Sequence, residues 1–424
     1  MTSEERNRII VIGGGAAGMM AAAAAAQSGG HVELFERNEK LGKKIYITGK
    51  GRCNLTNNCG KDAFLEQVCS NRRFLYSALE QWDSADTMRF FEENGTPVKT
   101  ERGNRVFPVS DHASDVTAAL QRCMKRLGVQ VHLNSRVKRL LLEKECPVPE
   151  DSGGRIRGVE LENGEMHFAS AVIVATGGLS YPSTGSEGDG YRFAGEAGLK
   201  VTPCRPSLVA METAGEDAPQ MQGLSLKNVQ VRVKDGKKVL FEEFGEMMFT
   251  HFGVSGPLML SASAIVGKKL ADRPLSLEID LKSALTPEQL DERILREFAA
   301  ASNRKIANVA GTLYPAKLIP VMLHRCGIDP DTPVRDITKA QRKALVEHTK
   351  RFVLTLTALR GYNEAVITAG GVSVKEVKPD TMECKTVRGL YFAGEVLDLD
   401  ARTGGFNLQI AWTTGHAAGT AAAK

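Results

Sequence analysis

The chain has 424 residues, 42% of them hydrophobic and 25% charged, which suits two or three folded domains and excludes a disordered, collagen-like or coiled-coil chain. Fifty-five basic against 50 acidic residues leave a net charge of +5, too small to demand nucleic acid or a membrane as partner. Eight cysteines without a CxxC pair or a histidine cluster suggest neither a disulfide framework nor a metal site, and fit a reducing cytoplasm.

Ile9 to Ala26 carries no charge and follows Arg6 and Arg8, as a signal peptide or short span would. Glycines 13, 14, 15 and 18 interrupt it and alanine fills most of the rest, so it is read as a strand, a turn and a helix. Arg8–Ile12 is a β-branched run of the kind buried in parallel sheets. Gly13, Gly15 and Gly18 complete a GxGxxG pattern, Met19 to Gln27 is helical by alanine propensity, and 31–35 forms the next strand before Glu36. In dinucleotide binding Gly13 makes the tight turn, Gly15 admits a pyrophosphate and Gly18 lets helix pack on strand. The phosphates lie at the helix N-terminus, and Glu36 accepts bonds from a ribose diol.

Residues 171–178 form a second buried strand ending in small residues, Thr176 and Gly177 among them. Residues 389–395 form a third, ending in Gly394 and Glu395. Such returns of the chain are expected where an extended FAD spans the domain, with Glu395 on the ribityl hydroxyls. Thr403 to Asn407 then opens a last helix from Leu408 to about Ala423, whose first N–H groups face the flavin and stabilise negative charge on its reduced ring.

From about Lys200 the βα rhythm stops. Residues 229–233 alternate, Asp235-Gly236 turns the chain, and 238–241 return as a hairpin. Residues 275–281 alternate too, Thr286-Pro287 starts a helix, and helical segments continue to about Arg351. Cys146 to Gly154 reads as a loop. No second GxGxxG unit exists, so a nicotinamide donor binds only transiently.

The stretches Gly49 to Asn57, Gly177 to Ser186, Gly188 to Tyr191, Phe249 to Pro257 and Gly404 to Gln409 together resemble the BaiN-like, aminoacetone-oxidase-type family of FAD-dependent oxidoreductases over nearly the whole length. Ala401-Arg402 departs from it where the family usually has a glycine, which puts the conformation of that loop in question. The resemblance implies an α/β fold: a two-dinucleotide-binding, Rossmann-like FAD domain of glutathione-reductase type with an inserted small β-barrel and helical subdomain. The FAD domain is expected over 1–198 and 361–424, the barrel over 199–284 and 350–360, and the helices over 285–349. Cofactor contacts are expected at Gly13, Gly15, Ala16, Ala17, Glu36, Arg37, Lys44, Gly51, Arg52, Cys53, Asn54, Val137, Thr176, Gly177, Gly394, Glu395, Gly404, Gly405, Phe406, Asn407 and Leu408.

Lys43, Lys44, Lys50 and Arg52 are expected to face flavin or phosphate. Cys53 has no nearby partner but Cys59, and packing is its ordinary role. His251 and Tyr181 are the catalytic candidates, expected to bound a small-molecule site between the FAD domain and the insert, though a structural histidine accounts equally for His251. The Gly188-Asp189-Gly190 segment resembles the loop after the Ala-Thr-Gly-Gly strand in fumarate-reductase-type enzymes, which favours reduction of an activated double bond. The rival reading is a flavin-loaded sensor or RNA-associated binding protein that uses the basic stretch 227–238. Neither a metal, a stable nucleic acid partner nor a membrane is expected.

Overall fold

The computed structural model describes residues 7–143 and 154–424, so the loop expected over 146–154 lies, but for Gly154, outside the described residues. The chain divides into two compact units, Met1–Ser207 with Tyr362–Lys424, and Leu208–Gly361.

The first unit is built on a five-stranded parallel sheet. Its strands run in the order Leu390–Phe392, Ala171–Val174, Arg8–Ile12, His31–Phe35 and Gln130–His132. The β-branched runs are buried on both faces, as crossover helices require. Strand Arg8–Ile12 starts one half of the sheet and Ala171–Val174 returns beside it to start the other. The strand order therefore reverses between them, which is where doubly wound sheets bind ligands. Helix Ala16–Gln27 is buried from Ala17 to Ala25 with no polar stripe, because the C-terminal helix Phe406–Ala422 crosses it closely. A methyl group on Gly415 would stand 2.5 Å from Ala17 O, and one on Gly419 would stand 2.2 Å from Ala21 O. The alanine run is thus a packing surface as well as a helix former.

The same unit holds two antiparallel three-stranded sheets. One joins Thr56–Asn57 to Arg105–Pro108 and Val98–Glu101, and the other joins Val137–Glu143, Arg155–Leu161 and Met166–Phe168. Strand Val201–Ser207 pairs with Ile367–Val372. The domain boundary expected after residue 198 falls before this strand, whereas the unit ends at Ser207.

The second unit contains a closed six-stranded barrel of Met211–Thr213, Gly253–Ser255, Lys238–Phe249, Ser225–Asp235, Leu275–Asp280 and Phe352–Leu359, in that order. Val229, Val231 and Val233 point inward while Arg232 is exposed, the alternation of a half-buried strand. Helix Pro287–Ala300 starts at a capping box, Thr286 with Gln289, and buries Leu290, Ile294 and Phe298. Those side chains join the barrel's Val231, Leu277 and Phe352 in one core, so barrel and helices form a single body. Among the described residues no helix is long and apolar enough to cross a membrane.

Candidate functional site

The carboxyl ends of the sheet's inner strands gather the glycine-rich turns. Gly13 has φ +103°, donates its N–H to Phe35 O at 2.8 Å, and leaves no room for a side chain, since a methyl group would lie 2.6 Å from Ala175 O. Around Gly15 a methyl group would meet nothing within 4 Å, whereas on Gly18 it would lie 1.8 Å from Gly13 O. The three glycines thus make a turn, an open approach and a helix contact. Helix Ala16–Gln27 begins at Gly15 without a side-chain cap, which leaves the Ala16 and Ala17 end as an anion cradle.

Glu36 is buried behind this turn. Its Oε2 accepts from Gly14 N at 2.7 Å, and its Oε1 accepts from Asn38 N and Nδ2 at 2.8 and 2.6 Å. The carboxylate therefore fixes the glycine turn, and its remaining acceptor capacity lies on Oε2. Arg37 pairs with Glu187 at 2.6 Å, and Val137 is buried opposite Leu161.

Glu395, on the turn Gly394–Val396, accepts from Lys44 Nζ at 2.6 Å, Ser180 Oγ at 2.6 Å and Thr368 N at 2.9 Å. Lys44 also donates to Ser180 Oγ at 2.5 Å. This node ties four segments of the chain together and leaves one acceptor position on Oε2 for a hydroxyl. Gly178 is required here, because a methyl group would lie 2.5 Å from Thr368 Oγ1.

Gly49, Lys50, Gly51 and Cys53 all have positive φ, so the backbone of this loop is strained and needs support. Arg52 supplies it. Its Nε and Nη2 donate to Asp111 at 2.9 and 2.5 Å, Nη2 donates to Glu101 at 2.5 Å, and the guanidinium lies 4.1 Å from the Phe107 ring. Lys43 is likewise held by Glu39 and Asn38. Three members of the basic cluster expected from the sequence, Lys43, Lys44 and Arg52, thus each sit on separate acidic partners. Cys53 is fully buried and its thiol is pushed up to about 12 by that burial, so it stays protonated and packs.

Two segments singled out separately in the sequence meet here. Thr56 Oγ1 donates to Gln409 Oε1 at 2.6 Å, Asn57 Nδ2 donates to Gly404 O at 3.0 Å, and Trp412 Nε1 donates to Leu55 O at 2.8 Å. Gly405 has φ +96°, and a methyl group there would lie 2.4 Å from Thr56 O. Its smallness is demanded by the chain's own backbone, a constraint that the motif did not reveal. Asn407 bonds both backbone groups of Ala401, at 2.9 and 2.8 Å, and Phe406 packs edge-on against Phe64. Ala401 is fully buried with no positive φ, so the loop needs no glycine there. Leu408 lies on the first turn of the last helix.

The residues around the reversal point fit a bound dinucleotide. Thr176 Oγ1 and Asn54 Oδ1 are buried without a hydrogen-bond partner, Thr176 next to Gly13 and Gly190 and Asn54 next to Gly49. Tyr181, with φ +51°, donates its N–H to Tyr362 O at 2.9 Å in the first unit. His251 is exposed in a turn of the second unit, edge-on to Phe252. No group of three or more His, Cys, Asp or Glu able to hold a metal occurs among the described residues.

Fold and site define a dinucleotide-binding flavoprotein. Residues 7–421 match the HI0933-like protein Rossmann domain, and the chain belongs to that family of FAD-dependent oxidoreductases. It is 34% identical over 404 residues to a 3-dehydro-bile acid delta(4,6)-reductase of Clostridium scindens, with 94% of each chain covered. It is 31% identical over 391 residues to a ribosomal RNA dihydrouridine synthase of Haemophilus influenzae, with 92% of each covered. A solved 3-ketosteroid-delta4-(5alpha)-dehydrogenase from Rhodococcus jostii shares the fold, with TM-score 0.53 and 14% identity over all of this chain and 98% of that one. The cofactor is FAD.

Proposed function

We propose that this enzyme reduces a carbon–carbon double bond conjugated to a carbonyl. One observation carries the reading: two relatives more than 30% identical are named as a 3-dehydro-bile acid delta(4,6)-reductase and a ribosomal RNA dihydrouridine synthase, and both names fit saturation of such a bond. FAD, when bound and reduced, would supply the two electrons as hydride. The chain's part is to hold the cofactor at the sheet's reversal point, with Ala16 and Ala17 at the pyrophosphate, Glu36 at the ribose and Glu395 toward the ribityl chain. Gly404 to Leu408 present the start of the last helix, whose dipole favours negative charge on the reduced ring.

Saturating the bond also requires a proton on the carbon next to the carbonyl. His251 and Tyr181 are the side chains proposed for it, and a positioned acid contributes typically about 10²–10⁴-fold. NADH or NADPH is proposed as a transient donor and the cytoplasm as the compartment. The test is anaerobic: reduce the flavin with each nicotinamide, then add 2-cyclohexenone, a 3-oxo-4-ene steroid or a uridine-containing RNA. Reoxidation by an enone and not by RNA assigns a small-molecule acceptor, and the converse assigns the nucleic acid. A reduced flavin that none of the three reoxidises refutes the reading.

A further inference from the structure

The segment between strand Ala171–Val174 and helix Asp189–Glu196 is tied down at both ends. At its start Leu179 N and Ser180 N donate to Thr368 Oγ1, and Ser180 Oγ donates to Glu395. At its end the helix buries Phe193 and Ala194. Residues 181–188 between these anchors put no side chain into the apolar core, and Ser186 alone among them is buried. Gly185 and Gly188, with φ +99° and +88°, let the chain turn there.

This stretch bridges two strand ends. Asn38 Nδ2 donates to Thr184 O at 3.1 Å, while the same side chain and the Asn38 N–H hold Glu36. A methyl group on Gly185 would lie 2.6 Å from Asn38 Nδ2, and one on Gly177 would lie 2.9 Å from Ser186 Oγ. Asn38 follows strand His31–Phe35 and Gly177 follows Ala171–Val174, and these two strands flank Arg8–Ile12 in the sheet. Residues 184–186 therefore reach across the carboxyl end of Arg8–Ile12, where the glycine turn begins. Charge holds them there. Arg37 Nη1 donates to Glu187 at 2.6 Å and to Gly185 O at 3.5 Å, and lies 3.8 Å from Asp189. Arg136 grips Asp189 through two bonds of 2.9 and 3.1 Å and lies 3.5 Å from Glu187. The Glu187 side chain is 45% exposed, so water and salt reach the pair.

We propose that residues 181–188 form a strap that closes over the adenosine half of FAD, with the Arg37–Glu187 pair as its clasp. The proposal rests on the placement of FAD given above, with its ribose at Glu36. A dinucleotide that runs from Glu36 past the glycine turn to Glu395 is covered by residues 184–186 and exchanges when they lift. Lifting breaks polar contacts only, so it leaves the core intact and costs far less than unfolding. Arg37 and Arg136 are then positioning residues: they act on the cofactor through Glu187 and Asp189, not by touching its phosphates.

The full-length enzyme and its Glu187→Gln, Arg37→Gln and Arg37→Lys variants test this through flavin exchange. Release is followed on dilution of the holoenzyme and uptake on mixing FAD with flavin-stripped enzyme, both by flavin fluorescence. Glu187→Gln should speed release and uptake alike, each by about two- to fivefold, and leave the dissociation constant close to that of the wild type. Arg37→Gln should do the same, Arg37→Lys should fall between it and the wild type, and Arg37→Gln combined with Glu187→Gln should be no faster than either alone. Raising sodium chloride to about 0.5 M should speed wild-type release and leave that of Glu187→Gln nearly unchanged. The stripped enzymes should share one melting temperature; a lowered one in Glu187→Gln makes the pair a support of the fold and overturns the proposal. Slower release from Glu187→Gln also overturns it, because the freed Arg37 then binds the phosphates directly. So does faster release with unchanged uptake, or wild-type rates for both. Glu36→Arg separates the two readings: if it keeps wild-type FAD affinity, the placement of FAD fails. If it loses FAD while Glu187→Gln exchanges at wild-type rates, only the strap fails.

Discussion

Glu36 has two duties, and one substitution tests them together. Its carboxylate holds Gly14 N and Asn38, and the free acceptor position on Oε2 is the one left for a ribose hydroxyl. Glu36→Arg removes both and adds a cation with no buried partner. FAD affinity should fall by about tenfold or more, since charge-assisted bonds contribute roughly 1.5–3 kcal/mol each. Unchanged affinity in a fluorescence titration would deny the residue its assigned role. His416 makes a second residue-scale prediction. It stacks on Trp82 at 4.3 Å between ring centroids, its Nδ1 is buried without a partner, and burial holds its pKa below the usual 6.5. The unfolded chain therefore takes up a proton near pH 6.5 that the folded chain does not. Stability is full above pH 6.5 and falls as pH drops toward the lowered folded value, by at most about 1.4 kcal/mol per pH unit. Urea melts at pH 5.5 and 7.5 should show this slope, reduced in His416→Gln.

Elements announce themselves through local patterns, and these were legible. The strands at 8–12 and 31–35, the hairpin turn at 235–236 and the helix after Thr286 follow from β-branched runs, Asp-Gly and a proline at the first helical position. The pairing of distant segments was not legible. Nothing local in Leu55-Thr56-Asn57 tells that it meets Gly404, Gln409 and Trp412, because those bonds join residues some 350 positions apart. The candidate site divides the same way. The glycine turns could be read as a cradle, but Arg52's commitment to two carboxylates depends on where the 98–108 hairpin lies. Two variants probe the helix that joins these pieces. Thr56→Val leaves Gln409 Oε1 buried without its donor and should cost about 1–3 kcal/mol in denaturant unfolding. Gly419→Val drives a side chain into Ala21 O, 2.2 Å from the first added carbon, and should cost about as much or more. Wild-type midpoints in both would remove the helix crossing from the account.

At the scale of the molecule, one FAD per chain is expected, held entirely by the first unit. A ligand that binds only the folded state stabilises it by about 2.7 kcal/mol at a hundred times its dissociation constant. Stripping the flavin should therefore lower the melting temperature, and re-adding FAD, though not FMN, should restore it. Extraction of FMN in place of FAD, or a melting temperature indifferent to FAD, would contradict the assignment.

The first unit is interrupted: its sheet gains strand Leu390–Phe392 and its glycine cradle gains helix Phe406–Ala422 only after the whole of Leu208–Gly361 has been synthesised. On the ribosome the GxGxxG turn and Glu36 emerge early, yet Leu55 and Thr56 wait for Trp412 and Gln409. Until then the nascent chain carries an alanine-rich helix with its packing partner still untranslated, a surface open to chaperones or to aggregation. Flavin capture is thus expected only after helix Phe406–Ala422 has been made. Ribosome-stalled chains arrested before residue 389 should exclude FAD that the released protein takes up, and flavin scarcity during expression should leave protein that is complete in length but prone to clumping.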